Sequence, residues 1–118
     1  MRRALALAAA VLAVLAAGAH AGGGRIAQVG VGLQEFRVSL YRTAVPRGTV
    51  SLNLHNYGQD VHDLAIRSRG RVLAETAVIK PGANATLRAR LRPGRYQLVC
   101  LIADHARRGM RAWLTVRR

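Results

Sequence analysis

The 118-residue chain carries 19 lysine and arginine side chains against 5 aspartate and glutamate, a formal charge of +14, with a single cysteine. That length suits one small domain over one core, and a lone cysteine excludes an intrachain disulfide framework. The charge points to an acidic partner or surface, while nucleic acid is disfavoured because the few aromatics do not interleave with the basic residues as a base-stacking platform requires.

Arg2 and Arg3 precede the apolar run Ala4 to Ala17, and Ala19-His20-Ala21 supplies small residues around a cleavage point. Basic, apolar and small-residue regions in that order make residues 1–21 a signal peptide, helical and removed on export to the periplasm or cell exterior. The run is shorter than the roughly 20 residues that span a bilayer, so no stable membrane insertion is expected after cleavage. Residues 22–26, opened by Gly22 to Gly24, read as a flexible lead-in, and 27–118 as the folded domain.

Val29, Val31 and Leu33, then Val50, Leu52 and Leu54, alternate with polar or small residues, the period of half-buried strands. Turn chemistry falls at "VPRGT" (Val45–Thr49), "NYGQD" (Asn56–Asp60), "KPGAN" (Lys80–Asn84) and "RPGR" (Arg92–Arg95). Strands are therefore expected near Ala27–Leu33, Glu35–Leu40, Thr49–Asn56 and Asp63–Ser68. Further strands are expected near Arg71–Ala74, Ala85–Leu91, Arg95–Leu101 and Arg111–Arg117, with a short helix or irregular segment around Glu75–Ile79. The fold class is all-β: an antiparallel Greek-key sandwich or barrel of seven or eight strands. In "TLRARLR", Leu87, Ala89 and Leu91 face the core and Arg88, Arg90 and Arg92 form a solvated outer face. His55 belongs with Ser51 and Asn53 on a polar face, and Trp113, opposite Leu114, with the sheet's outer cover.

The chemistry concentrates in "CLIADHARRGM", Cys100 to Met110. Cys100 taken alone is a buried small apolar residue, an interchain partner or a ligand. Placed where a strand enters a loop, it joins His105 and Met110 as a thiolate, an imidazole and a thioether that one loop can aim at a common point. Such soft donors suit copper better than magnesium or calcium, and an electron-transfer copper site needs a second imidazole. "NYGQDVHDL" offers His62, at the start of a strand after an Asn-x-Gly turn.

With these residues in view, Pro93 to Val116, "PGRYQLVCLIADHARRGMRAWLTV", resembles the C-terminal hairpin of cupredoxins, the type 1 blue-copper proteins, with its P-G-x-Y-x-x-x-C strand and C-x4-H-x4-M loop. "LHNYGQDVHDLAI" is similar to the family's N-x-G turn followed by the first histidine, as in its small exported, plastocyanin- or azurin-like members. The resemblance implies one copper ion with ligands His62, Cys100, His105 and Met110. It gives Asp63 a hydrogen bond to backbone near the cysteine loop and makes Asn56, with Gly58, the turn that presents His62. Many relatives read Pro-Gly where this chain reads Ala103-Asp104, which predicts a less rigid segment ahead of His105. Arg107, Arg108 and Arg111 surround the loop where electrons would enter and leave, and would steer an acidic redox partner to it.

The function expected is a monomeric, exported single-electron carrier and not an enzyme, since no acid–base pair or activated nucleophile stands out. A copper carrier or buffer with the same ligands is the alternative, and a metal-free basic β-sandwich binding module the second. One cysteine is too few for a binuclear copper loop, and the histidines are too few for a multicopper oxidase or a copper nitrite reductase.

Overall fold

The computed structural model describes residues 24–118; the leader expected over residues 1–21, with its helix, and the first residues of the lead-in lie outside them. The alternating stretches form strands β1 (Ala27–Gln34), β2 (Arg37–Leu40), β3 (Ala44–Pro46), β4 (Gly48–Asn56), β5 (Ala65–Ser68), β6 (Arg71–Glu75), β7 (Asn84–Leu91), β8 (Gly94–Val99) and β9 (Arg111–Arg117). They make two facing sheets, β2-β1-β4-β7 and β3-β9-β8-β5-β6. No helix among the described residues is long and apolar enough to cross a membrane.

Two features depart from the expected antiparallel sandwich. β1 pairs with β4 in parallel, Val29 opposite Leu52, and β3 pairs with β9 in parallel, Val45 opposite Val116. Between β1 and β4 the chain crosses to the other sheet through β3 and returns, so β4 re-enters in the direction of β1; no hairpin joins them. β3 itself falls where the sequence reads as a turn, because three residues ending in proline are too short to show alternation. Glu35 lies in the β1–β2 turn and Asp63 in the connection before β5, so neither begins a strand. After Glu75 the chain is irregular, and Ile79 makes an isolated antiparallel bridge with His62.

The inward residues of both sheets meet in one core. Val29, Val31, Leu33, Leu52 and Leu54 from the first sheet face Ile66, Leu98, Leu114 and Val116 from the second, all buried. On β7, Leu87 and Leu91 are buried while Arg88 and Arg90 are not, as the alternation predicts. The registers fix the two ends of the sandwich. One end gathers the β1–β2, β4–β5, β6–β7 and β8–β9 connections; the other gathers β3–β4, β5–β6 and β7–β8. The first end receives both sequence motifs.

Candidate metal centre

Each side chain at this end is placed by a strand terminus and tied by backbone hydrogen bonds. Cys100 follows the last residue of β8, and its amide donates to the carbonyl of Met110, which precedes β9. The loop between them closes on itself: the His105 amide donates to Ile102 O, Gly109 to Ala106 O, and Met110 to His105 O. Asp104, where the resemblance implied a looser segment, accepts from Arg108 Nε at 2.8 Å one turn later. Ala103 sits in the left-handed region at φ 46°. Gly109, at φ 119°, leaves little room for a side chain, since a Cβ there would lie 3.1 Å from the carbonyl oxygen of Phe36.

The first histidine is held from the other side. Asn56, buried at the end of β4, accepts from the Gly58 amide at 2.8 Å and donates to the carbonyls of Asp60 and Ile79. Ile79 O also takes the His62 amide, and the Ile79 amide returns a bond to His62 O, so one buried amide side chain and one bridge lock the turn. Asp63 Oδ1 accepts from the Leu101 amide at 2.7 Å and ties this turn to the cysteine loop.

The result brings His62, Cys100 and His105 together, all buried, with one ligand atom from each lying within 4.8 Å of the others. His62 Nδ1 is 3.3 Å from His105 Nδ1, and Cys100 Sγ is 3.7 Å from His105 Nδ1. Bond lengths of roughly 2.0–2.3 Å from imidazole nitrogen and thiolate sulfur to one ion, at tetrahedral to trigonal angles, space the donors about 3.3–3.8 Å apart. The donor set therefore fits a soft first-row metal such as copper. Met110 is fully buried and enters the site's surroundings through its backbone pairing with Cys100. Arg107, Arg108 and Arg111 are exposed around the loop; Arg108 lies over the Phe36 ring at 4.9 Å, and Arg111 donates to Ala106 O. His55 stays outside the site, bonded to Asn84 Oδ1.

Two residues at the site have no counterpart in the sequence reading. Glu35 Oε1 accepts from His62 Nε2 at 3.0 Å and from the amides of Gln59 and Asp60. With Nε2 donating its proton to the carboxylate, His62 presents the Nδ1 lone pair to the cluster, the arrangement that fixes the tautomer of a metal-bound imidazole. The Asp60 amide above all, with help from Gln59 and His62, holds the Glu35 carboxyl down at about 2. A Cβ at Gly58 would meet the Glu35 carboxylate, which its bonds to two amides and to His62 hold in place. Phe36 is the second addition, its ring 5.1 Å from that of His105. No local spacing links residue 35 to residue 62; the parallel β1–β4 pairing, Leu33 opposite Asn56, brings them together.

Burial pushes the Cys100 thiol above its ordinary value, opposed by hydrogen bonding from the Asp63 and Ile102 backbones and reinforced by the Asp63 charge. A cation in the cluster would reverse that balance, because the thiolate is the ligand form.

Residues 5–115 match the family model of the cupredoxin-like domain. The fold is similar to dithionite-reduced auracyanin from the photosynthetic bacterium Roseiflexus castenholzii, at 19% identity over 80% of this chain and 100% of that one, with a TM-score of 0.66. It is similar to auracyanin B at 19% identity, 77% and 88% coverage and a TM-score of 0.63. An azurin from the obligate methylotroph Methylomonas sp. strain J aligns at 15% identity, 78% and 98% coverage and a TM-score of 0.65. No curated protein sequence is matched. A family model that spans nearly the whole sequence, and the same sandwich in these solved structures, place the chain in the cupredoxin family.

Proposed function

We propose that this protein is an exported single-electron carrier in which His62, Cys100 and His105, with Met110 as a weaker thioether donor, would hold one type 1 copper. The observation that carries the reading is the convergence of two imidazoles and one cysteine on a single buried point. Bound copper would supply a one-electron couple at this set of two imidazole nitrogens and one thiolate sulfur. The chain's own residues do the rest. Cys100 binds as thiolate, and Glu35 keeps the Nδ1 lone pair of His62 turned inward. The bonds from Asp63, Asn56 and the Cys100–Met110 pair hold the donors in one arrangement, so gain or loss of an electron requires little movement.

His105, 7% exposed while His62, Cys100 and Met110 are fully buried, is the ligand nearest solvent and in this reading the point of electron entry and exit. Arg107 and Arg111, with Arg108 partly neutralised by Asp104, would steer an acidic redox protein to it. Residues 1–21 serve as the export leader. With both imidazoles and the thiolate committed to the ion, the site keeps no acid–base pair for substrate chemistry, hence a carrier and not an enzyme.

The test is to add cupric ion to the purified protein and record visible and paramagnetic resonance spectra. An intense sulfur-to-copper charge-transfer band and a narrow copper hyperfine splitting, both absent in Cys100→Ser, are expected. Their absence in the wild type ends the reading. Rapid surrender of copper to a chelator, with no reversible one-electron wave, would favour copper trafficking instead.

A further inference from the structure

The fold gathers towards one end the acidic residues that the sequence disperses, and leaves the other end basic. All 5 acidic residues lie towards the metal-centre end: Glu35, Asp60, Asp63 and Asp104 in its connections, and Glu75 at the end of β6, opposite Ala65. The other end presents arginine. Arg47, Arg90 and Arg92 line one groove with Gly24, Leu91 and Pro93. Arg69 and Arg95 line a second with Tyr96, and the two grooves meet at Arg92 and Pro93. These arginines are exposed, and Arg71 and Arg117 flank them. Among the described residues the ion pairs are His62–Glu35 and Arg108–Asp104, both at the metal-centre end, so none of the distal guanidinium groups is paired with a carboxylate side chain.

We propose that this arginine pole docks the protein on an anionic phospholipid surface, with the metal-centre end facing away from the lipid. Guanidinium groups bind phosphate oxygens in pairs, and clustering without a compensating carboxylate leaves that capacity unused within the chain. Three observations favour lipid over nucleic acid. The groups cover the blunt end of a sandwich, with no strand or helix among the described residues projecting to enter a duplex groove. The aromatic lining these grooves, Tyr96, is buried, and its hydroxyl donates to the Arg92 carbonyl at 2.7 Å, so it offers no stacking platform. Finally, Gly24 lines the first groove and the apolar run Ala4–Ala17 lies seven residues earlier, about 25 Å of extended chain at most, so before the leader is removed a membrane engaged by that run is within reach of this pole. The inference stands whether or not copper occupies the opposite end.

Cosedimentation of the full chain with phosphatidylcholine vesicles, with and without phosphatidylglycerol, tests it. The wild type is expected to partition onto the phosphatidylglycerol vesicles far more strongly, with binding lost as salt rises. Arg47→Gln/Arg90→Gln/Arg92→Gln should weaken that binding on the order of 100-fold, from about a factor of 5 per basic residue near an anionic surface. Arg107→Gln/Arg108→Gln/Arg111→Gln removes the same charge from the other end and should weaken it less than about 5-fold. Equal losses in the two variants, or salt-insensitive binding that ignores phosphatidylglycerol, overturn the proposal. Displacement from the vesicles by duplex DNA at equal phosphate concentration overturns the choice of lipid and assigns the pole to nucleic acid.

Discussion

Glu35 gathers the Gln59 amide, the Asp60 amide and the His62 imidazole on one carboxylate oxygen. Its pKa falls from 4.5 to about 2 on folding, so the folded state holds fewer protons than the unfolded chain between those values. The stability this provides is complete above about pH 4.5 and is lost as pH falls towards 2. Glu35→Gln, which can still accept from His62 but cannot titrate, should flatten that acid limb in denaturation curves; superimposable limbs would remove Glu35 from the account. Ala103 carries the opposite kind of signature. A left-handed φ of 46° costs an alanine roughly 1–2 kcal/mol, part of which glycine's greater freedom in the unfolded chain would offset. Ala103→Gly should raise urea-unfolding stability by about 0.5–1 kcal/mol, and a loss of stability would show that the turn is not strained at this residue.

At the level of elements, the turn over residues 56–62 and the loop over residues 100–110 behave as two halves of one clasp. Asn56 makes three buried or half-buried bonds in the first half, and each contributes roughly 1 kcal/mol with a further cost for groups left unsatisfied. Asn56→Ala should therefore cost about 3 kcal/mol in chemical denaturation; a cost below about 1 kcal/mol would mean that water replaces these bonds freely. Both halves were legible in the sequence, because Asn-x-Gly and the cysteine–histidine–methionine spacing are local patterns whose geometry one turn enforces. β3 was not, since three residues cannot display a period, and neither was the parallel pairing of β1 with β4, since direction depends on the path of the intervening chain.

For the whole molecule, an ion held by the His62–Cys100–His105 cluster would be coupled to the folding equilibrium. A ligand at about 1,000 times its dissociation constant stabilises by about 4 kcal/mol, which for a domain of this size raises the melting temperature by roughly 15–30 °C. Calorimetry with and without copper should show a rise of that order, and Cys100→Ser should abolish most of it. An equal rise in that variant would place the stabilising metal elsewhere. The distribution of charge is also a property of this scale. Arginines at 47, 69, 90, 92 and 95 lie on different strands and turns, and only the closure of both sheets sets them on one end, with the carboxylates towards the other.

Chemistry confined to a short stretch of chain was determined by the sequence itself: the alternation that makes strands, the turns that end them, and the thiol, imidazole and thioether side chains spaced along "CLIADHARRGM". Tertiary structure alone decided what depends on distant segments meeting. The β1–β4 register carries Glu35 to His62, the β1–β2 turn sets Phe36 against His105, and the connections at the far end collect the arginines. The physical reason is range. Backbone propensity and side-chain period act over a few residues, whereas a hydrogen bond or a shared electrostatic surface depends on distance in space, which only the packed sheets define.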